Sequence, residues 1–127
     1  MLLLGTFNES EPLFIQIKER IEAQIMQGIL REGEQIPSTT QIVKFYKINH
    51  ITVTKGIKIL VDEGIISKKR GVGMFVAPGA REQLLIARRL SFAENFVMPL
   101  VTEAHNLGME REEVLEIINS TFPKYSQ

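Results

Sequence analysis

Apolar residues recur at three- and four-residue spacing near the start of the chain. This spacing places them on one side of an amphipathic helix. The stripe consists of Phe14, Ile17, Ile21 and Ile25. Pro12 suits the first turn of such a helix, where no backbone donor is needed. The pattern therefore predicts a helix over residues 12–28.

Two shorter helices follow, each with a capping residue before it. Ser38 precedes Gln41 by three residues, which is the capping-box pattern, and predicts a helix over residues 39–46. Asn49 is a favoured N-cap for a third helix that reaches about residue 63. The inward positions of this third helix are Val53, Ile57, Leu60 and Val61. The pattern thus predicts a helix, a tight turn and a second helix.

Short β-tolerant segments surround this pair of helices. Residues 65–69 and 74–76 are joined by a glycine-containing turn and predict a hairpin with a basic tip. A further short strand is predicted over residues 34–36. Pro78 and Gly79 then form a natural boundary.

Beyond that boundary the helical period returns, over residues 81–107. Pro99 falls inside this stretch and is expected either to kink the helix or to divide it. A last short helix opens near Glu110. The apolar stripe of this tail is either an intrachain core or a dimer interface. We favour the dimer, because about 50 residues leave little else to bury the stripe against. The predicted dimerisation residues are Phe92, Phe96, Leu100 and Leu107.

These elements predict a mainly α fold with a small β-hairpin wing. The domain organisation we expect is a winged helix-turn-helix over residues 1–77 and a two-helix dimerisation tail over residues 78–127.

The net charge of zero conceals an uneven distribution. Residues 38–76 contain seven Lys or Arg residues against two Asp or Glu residues, whereas the segments on either side are both net acidic. A local basic zone is the pattern expected of a phosphate-binding surface. A solvated charged face would give the same count, so charge alone leaves both interpretations open.

Composition limits the chemistry further. The chain has no cysteine, which excludes disulfides and thiolate metal sites. No apolar stretch resembles a signal-peptide core or approaches the length of a membrane span. His50 and His105 are far apart in sequence, and Ser38 has no nearby His and Asp partner. We therefore expect a cytoplasmic protein that is not an enzyme and has neither a cofactor nor a metal.

The third helix and the hairpin carry the most informative polar groups. A recognition helix needs one apolar face for packing and one face of small polar and basic groups for base edges and phosphates. A helix cap also presents backbone donors to phosphate, and arginine at a wing tip can enter a minor groove. The predicted DNA-binding residues are Ser38, Thr40, Asn49, His50, Thr52, Thr54, Lys55, Arg70 and Gly71.

Several segments resemble motifs of GntR-family transcription regulators, in order and at matching spacing. Residues 36–42 resemble the start of the family's second helix, L-P-S-x-R-x-L. Residues 49–56 resemble the recognition segment N-x-x-T-V-x-R-A, and residues 60–66 resemble L-x-x-E-G-L-L. Residues 70–76 resemble the wing R-G-x-G-T-F-V. The opening at residues 12–17 is similar to P-I-Y-x-Q-I.

The short tail is similar to that of the YtrA-like subfamily, whose two C-terminal helices serve dimerisation. The resemblance implies a homodimer on a two-fold-symmetric, inverted-repeat operator in double-stranded DNA, often that of a transporter operon. We expect a repressor, since a small dimer on an operator can block the polymerase. The alternative is a winged-helix module for protein–protein assembly without specific DNA binding. The sequence does not indicate a small-molecule effector.

Three residues depart from the family pattern. Thr40 and Lys55 stand where the family has arginine. Lysine keeps the charge but lacks the planar fork that recognises guanine, so phosphate affinity should persist better than guanine preference. Gly56 stands where alanine is usual, at a cost of about 1 kcal/mol in a helix interior. Close packing against a neighbour would explain a small residue at this position.

Overall fold

The structure is a computed structural model that describes residues 4–125. The chain forms two compact units, which divide between Ala87 and Arg88. The predicted domain boundary between residues 77 and 78 stays a prediction. The core of the first unit extends beyond it, because Ala80 and Leu84 are buried there.

Three helices of the first unit match the apolar periodicity. They are α1 (Leu13–Met26), α2 (Thr39–Tyr46) and α3 (His50–Asp62). Each lies within two residues of its predicted bounds. The winged helix-turn-helix arrangement expected from the sequence is therefore confirmed, with α2 and α3 as the helix-turn-helix pair.

A three-stranded antiparallel sheet accompanies these helices. Its strands are β1 (Gln35–Ile36), β2 (Ile66–Lys69) and β3 (Gly73–Val76). Their order is β1-β3-β2, so β3 is central. Because β1 pairs with β3, the hairpin is attached along one edge to the segment just before α2.

The core of the first unit is dominated by isoleucine. Three successive turns of α1 bury Ile17, Ile21 and Ile25 against Ile42 of α2 and Leu60 of α3. A fully buried aliphatic side chain contributes about 1.5–3 kcal/mol relative to an exposed one. This shared core holds α3 against α1 and leaves the opposite side of α3 in solvent.

Residues 4–11, the N-terminal arm, are fastened to α1 and α2 by polar side chains. The buried Gln16 donates to the carbonyl oxygens of Asn8 and Glu11. Arg20 donates to the carbonyl oxygens of Leu4 and Thr6, both at 2.7 Å. The arm also reaches α2, since the Tyr46 hydroxyl accepts from the Leu4 amide at 2.6 Å.

The tail contains α4 (Ala80–Phe92), α5 (Met98–Asn106), α6 (Arg111–Thr121) and a final 3₁₀ turn (Phe122–Tyr125). A π-helical turn over Ala93–Val97 joins α4 to α5. Pro99 therefore does not end the helical backbone but lies in the first turn of α5, directly after the π turn. The wider π turn precedes the proline, where the ring would crowd the carbonyl four residues earlier. Across residues 4–125 no helix is both long and apolar enough to cross a membrane.

Candidate nucleic-acid interface

A capping box fixes the start of α2. The Ser38 hydroxyl accepts from the Gln41 amide at 3.1 Å, and the Gln41 side chain accepts from the Ser38 amide at 2.8 Å. Ser38 and Thr40 are both exposed. This reciprocal cap holds the first turn of α2 open to solvent, where remaining backbone amides can donate to an anion.

The turn between α2 and α3 is tight and ends in a second cap. Lys47 takes a left-handed conformation with φ of 55°, and the Ile48 amide donates to the Val43 carbonyl. The Asn49 side-chain oxygen accepts from the Ile51 amide at 2.8 Å. Asn49 therefore caps α3 through its side-chain oxygen, and its side-chain NH2 group remains available as a hydrogen-bond donor.

The two faces of α3 separate as the sequence predicts. Val53, Ile57 and Leu60 are buried, whereas His50 and Thr54 are exposed. These two side chains lie 3.4 Å apart, between the histidine Nδ1 and the threonine hydroxyl. Thr52 is half-buried and is the least accessible of the DNA-binding residues predicted on α3.

Lys55 is exposed but lies against α1. Its Nζ sits 4.2 Å from the centre of the Phe14 ring. A cation over an aromatic face gains about 0.5–1 kcal/mol at an exposed site. One turn further on, Lys58 forms an exposed ion pair with Asp62 at 2.8 Å. Both lysines therefore have local partners that a phosphate contact would have to replace or share.

The wing tip has a defined backbone. Gly71 has φ of +77°, a conformation that side chains rarely adopt, and the Val72 amide donates to the Lys69 carbonyl at 2.9 Å. The Gln35 side chain of β1 donates to the Val72 carbonyl at 3.1 Å and ties the tip to the sheet. Arg70 and Gly71 are exposed, as a groove contact requires.

A groove of about 250 Å³ joins α2, α3 and the wing. Its polar lining comes from Thr39, Thr54, Lys58 and Lys68. Of these, only Thr54 is among the predicted DNA-binding residues. Lys68 could not be selected from the sequence, because only the antiparallel register places this residue of β2 beside α3. The excess of Lys and Arg over residues 38–76 is the sequence signal that includes Lys58 and Lys68.

The predicted dimerisation residues all lie in the second unit and are all exposed. Phe92 and Phe96 stack with ring centres 5.8 Å apart, yet more than half of each side chain is exposed. Leu100 and Leu107 are also exposed. Between α5 and α6 lies a mainly apolar cleft of about 460 Å³. Among residues 88–123, none is buried.

The part of the chain that the structure describes holds no group of three or more His, Asp or Glu residues placed to bind a metal ion. His105 lines the cleft between α5 and α6 beside Arg111, with apolar residues around them.

Comparisons with known proteins agree with this architecture. The family described as bacterial regulatory proteins, gntR family, matches residues 14–76. The HTH-type transcriptional repressor YtrA of Bacillus subtilis (strain 168) is 29% identical over 109 residues, which cover 86% of this chain and 83% of that protein.

Solved structures are similar as well. A GntR family transcriptional regulator from Listeria monocytogenes has a TM-score of 0.73 over 91% of this chain and 99% of that one, at 20% identity. The DNA-binding domain of AraR, solved in complex with an operator, is 31% identical with a TM-score of 0.51. That match covers 60% of this chain and 93% of the domain.

Proposed function

Because this chain belongs to the gntR family of bacterial regulatory proteins, we propose that it is a transcription repressor that binds an inverted-repeat operator as a homodimer. The observation that carries the proposal is the solvent-facing side of α3. It is capped by Asn49, held from behind by a buried core, and flanked by the basic wing. An α-helix of this kind fits the major groove of B-DNA.

The residues proposed to contact DNA are those predicted from the sequence. Their exposure supports this assignment at all positions but the half-buried Thr52. The AraR domain solved with its operator supports the same use of this fold. An operator on a bacterial chromosome implies a cytoplasmic location, and control of a transporter operon remains part of the proposal through the family resemblance.

In vitro selection from a random DNA pool, sequenced after selection at two salt concentrations, tests the function. The proposal predicts a short inverted repeat that is recovered at both. Recovery of no motif, with weak binding at low salt only, would contradict sequence-specific recognition. Absence of binding at either salt would favour the alternative of a protein-assembly module.

Lys55 and Arg70 are the cations proposed to contact the DNA backbone and a minor groove. Lys55→Ala and Arg70→Ala should each weaken binding, and Lys55→Ala should reduce the salt slope by about one unit. Arg31→Ala is the matched control, since Arg31 is exposed and lies outside the basic segment. A Lys55→Ala protein with unchanged affinity at every salt concentration would show that the lysine serves only its contact with Phe14.

The dimer interface is proposed to be the apolar surface of the second unit. The absence of any buried residue among 88–123 supports this, since so many apolar side chains gain little from folding alone. Phe96→Asp should halve the mass measured by light scattering, because an unpaired charge in an apolar interface is costly. Asn95→Asp adds the same charge at the preceding residue and should leave the mass unchanged. An unaltered mass for Phe96→Asp would place the interface elsewhere.

A further inference from the structure

Ile51 is the most exposed residue among the apolar side chains of α3. It lies in the first turn, and 75% of its surface is open to solvent. Leaving an isoleucine in water forgoes the stabilisation that burial would give it, and a β-branched residue gains nothing in helix propensity over a polar alternative. Within residues 4–87 of the first unit, the hydrophobic core does not include Ile51, so the packing described there does not require an isoleucine at this position.

The position of Ile51 is opposite the core. Val53, two residues later, is fully buried, and residues two apart on a helix point to nearly opposite sides. Thr54, three residues later, is on the face of Ile51 and is exposed. Lys55, four residues later, is also exposed, although its Nζ lies over the Phe14 ring of α1. The exposed Ile51 side chain thus lies on the outward side of α3, with Thr54 one turn later on the same side.

The surroundings decide what this side chain can contact. Lys55 is exposed on the same helix, and Lys68 of the wing lines the groove beside Thr54 and the Lys58–Asp62 ion pair. These cations give the surface a positive charge that complements DNA. The major groove offers mainly hydrogen-bond donors and acceptors. Its one apolar group is the C5 methyl of thymine, which aliphatic side chains contact.

We propose that Ile51 contacts the C5 methyl group of a thymine in each operator half-site, an inference that rests on the proposed function. The residue would then determine specificity by apolar contact, whereas its polar neighbours act through hydrogen bonds and charge. Removal of this methyl group alone should lower affinity about fourfold in one half-site, and about fifteenfold when both half-sites are changed, on the scale of burying one carbon.

Replacement of thymine by deoxyuridine tests the proposal, because it removes the methyl group and leaves every hydrogen-bonding group in place. The probe is the operator obtained by selection, synthesised with deoxyuridine at one thymine position at a time. Affinity is measured by fluorescence anisotropy at fixed salt. For the unmodified protein we expect one position per half-site to show the fourfold loss.

Ile51→Ala should abolish that discrimination, so that the thymine and deoxyuridine operators bind equally. Ile51→Val should retain part of it. Ile29→Ala is the matched control, since Ile29 is 62% exposed but lies outside α3, and it should keep the full penalty. Circular dichroism checks that each variant folds.

Two results would overturn the proposal while the proposed function stands. One is specific binding of the selected operator with no deoxyuridine penalty at any position. The other is an undiminished penalty in Ile51→Ala, which would assign the methyl contact to another residue. Failure to select any operator would instead contradict the proposed function itself.

Discussion

Gly56 sets the distance between the recognition helix and the helix behind it. It is buried in α3, and a Cβ built on it would lie 2.8 Å from the carbonyl oxygen of Phe14 and 3.5 Å from the Cβ of Ile17. The first distance is well inside van der Waals contact, and its partner is backbone. Because that partner is a backbone atom, no side-chain rotation can relieve the close contact.

The Gly56→Ala substitution has two opposing effects on the free energy of unfolding. Alanine is favoured over glycine in a helix interior by about 1 kcal/mol. Overpacking a filled core costs about 1–3 kcal/mol, because α1 and α3 must separate by roughly half an ångström to restore ordinary contact. Taking the middle of that range, we expect the free energy of unfolding to fall by about 1 kcal/mol. The melting temperature should then fall by about 4–8 °C.

Urea unfolding followed by far-ultraviolet circular dichroism, at fixed protein concentration, measures this change. Hydrogen exchange of peptides from α1 and α3 locates it. Thr54→Ala is the control, because it introduces alanine on the exposed side of the same helix and should raise stability by a few tenths of a kcal/mol. A gain of about 1 kcal/mol for Gly56→Ala would refute the argument, since it would show that the close approach imposes no cost.

Three further changes have defined outcomes. Ser38→Ala removes the capping box of α2 and should lower the free energy of unfolding by about 1 kcal/mol, measured by urea unfolding. Gln35→Ala removes the hydrogen bond to Val72 and should speed hydrogen exchange in the wing and weaken operator binding with little change in melting temperature; unchanged exchange would show that the tip is held without it. Gln16→Leu leaves the amide and carbonyl of Asn8 without their side-chain partner and should expose residues 4–11 to proteolysis, whereas an equally resistant arm would mean that these bonds are dispensable.

The local elements were predictable because their signals are local. The caps Ser38 and Asn49 and the apolar spacing of α1 lie within a few residues of the structure they determine. The sequence also provided a reason for Gly56 in place of the family's usual alanine, because the close packing predicted there is present between α3 and α1.

What the sequence did not reveal depends on contacts between distant residues. The position of Lys55 over Phe14, and of Lys68 beside α3, follows from how helices and strands pack. The π turn before Pro99 is one of several ways in which a helix can accommodate a proline, and local pattern does not choose among them. Ile51 is not among the inward positions predicted for α3, and only its 75% exposure distinguishes it from the other apolar residues of that helix.

The N-terminal arm has a consequence for the order in which the chain can fold during synthesis. Its inner part can close early, because Asn8 and Gln16 are only eight residues apart. The hydrogen bond from the Leu4 amide to the Tyr46 hydroxyl must wait, because Tyr46 lies 42 residues later, although the Leu4 carbonyl can already accept from Arg20 of α1. At about 5–20 residues per second this delay is roughly 2–8 s. The arm can thus be held to α1 first, and its bond to α2 forms only after α2 has been synthesised.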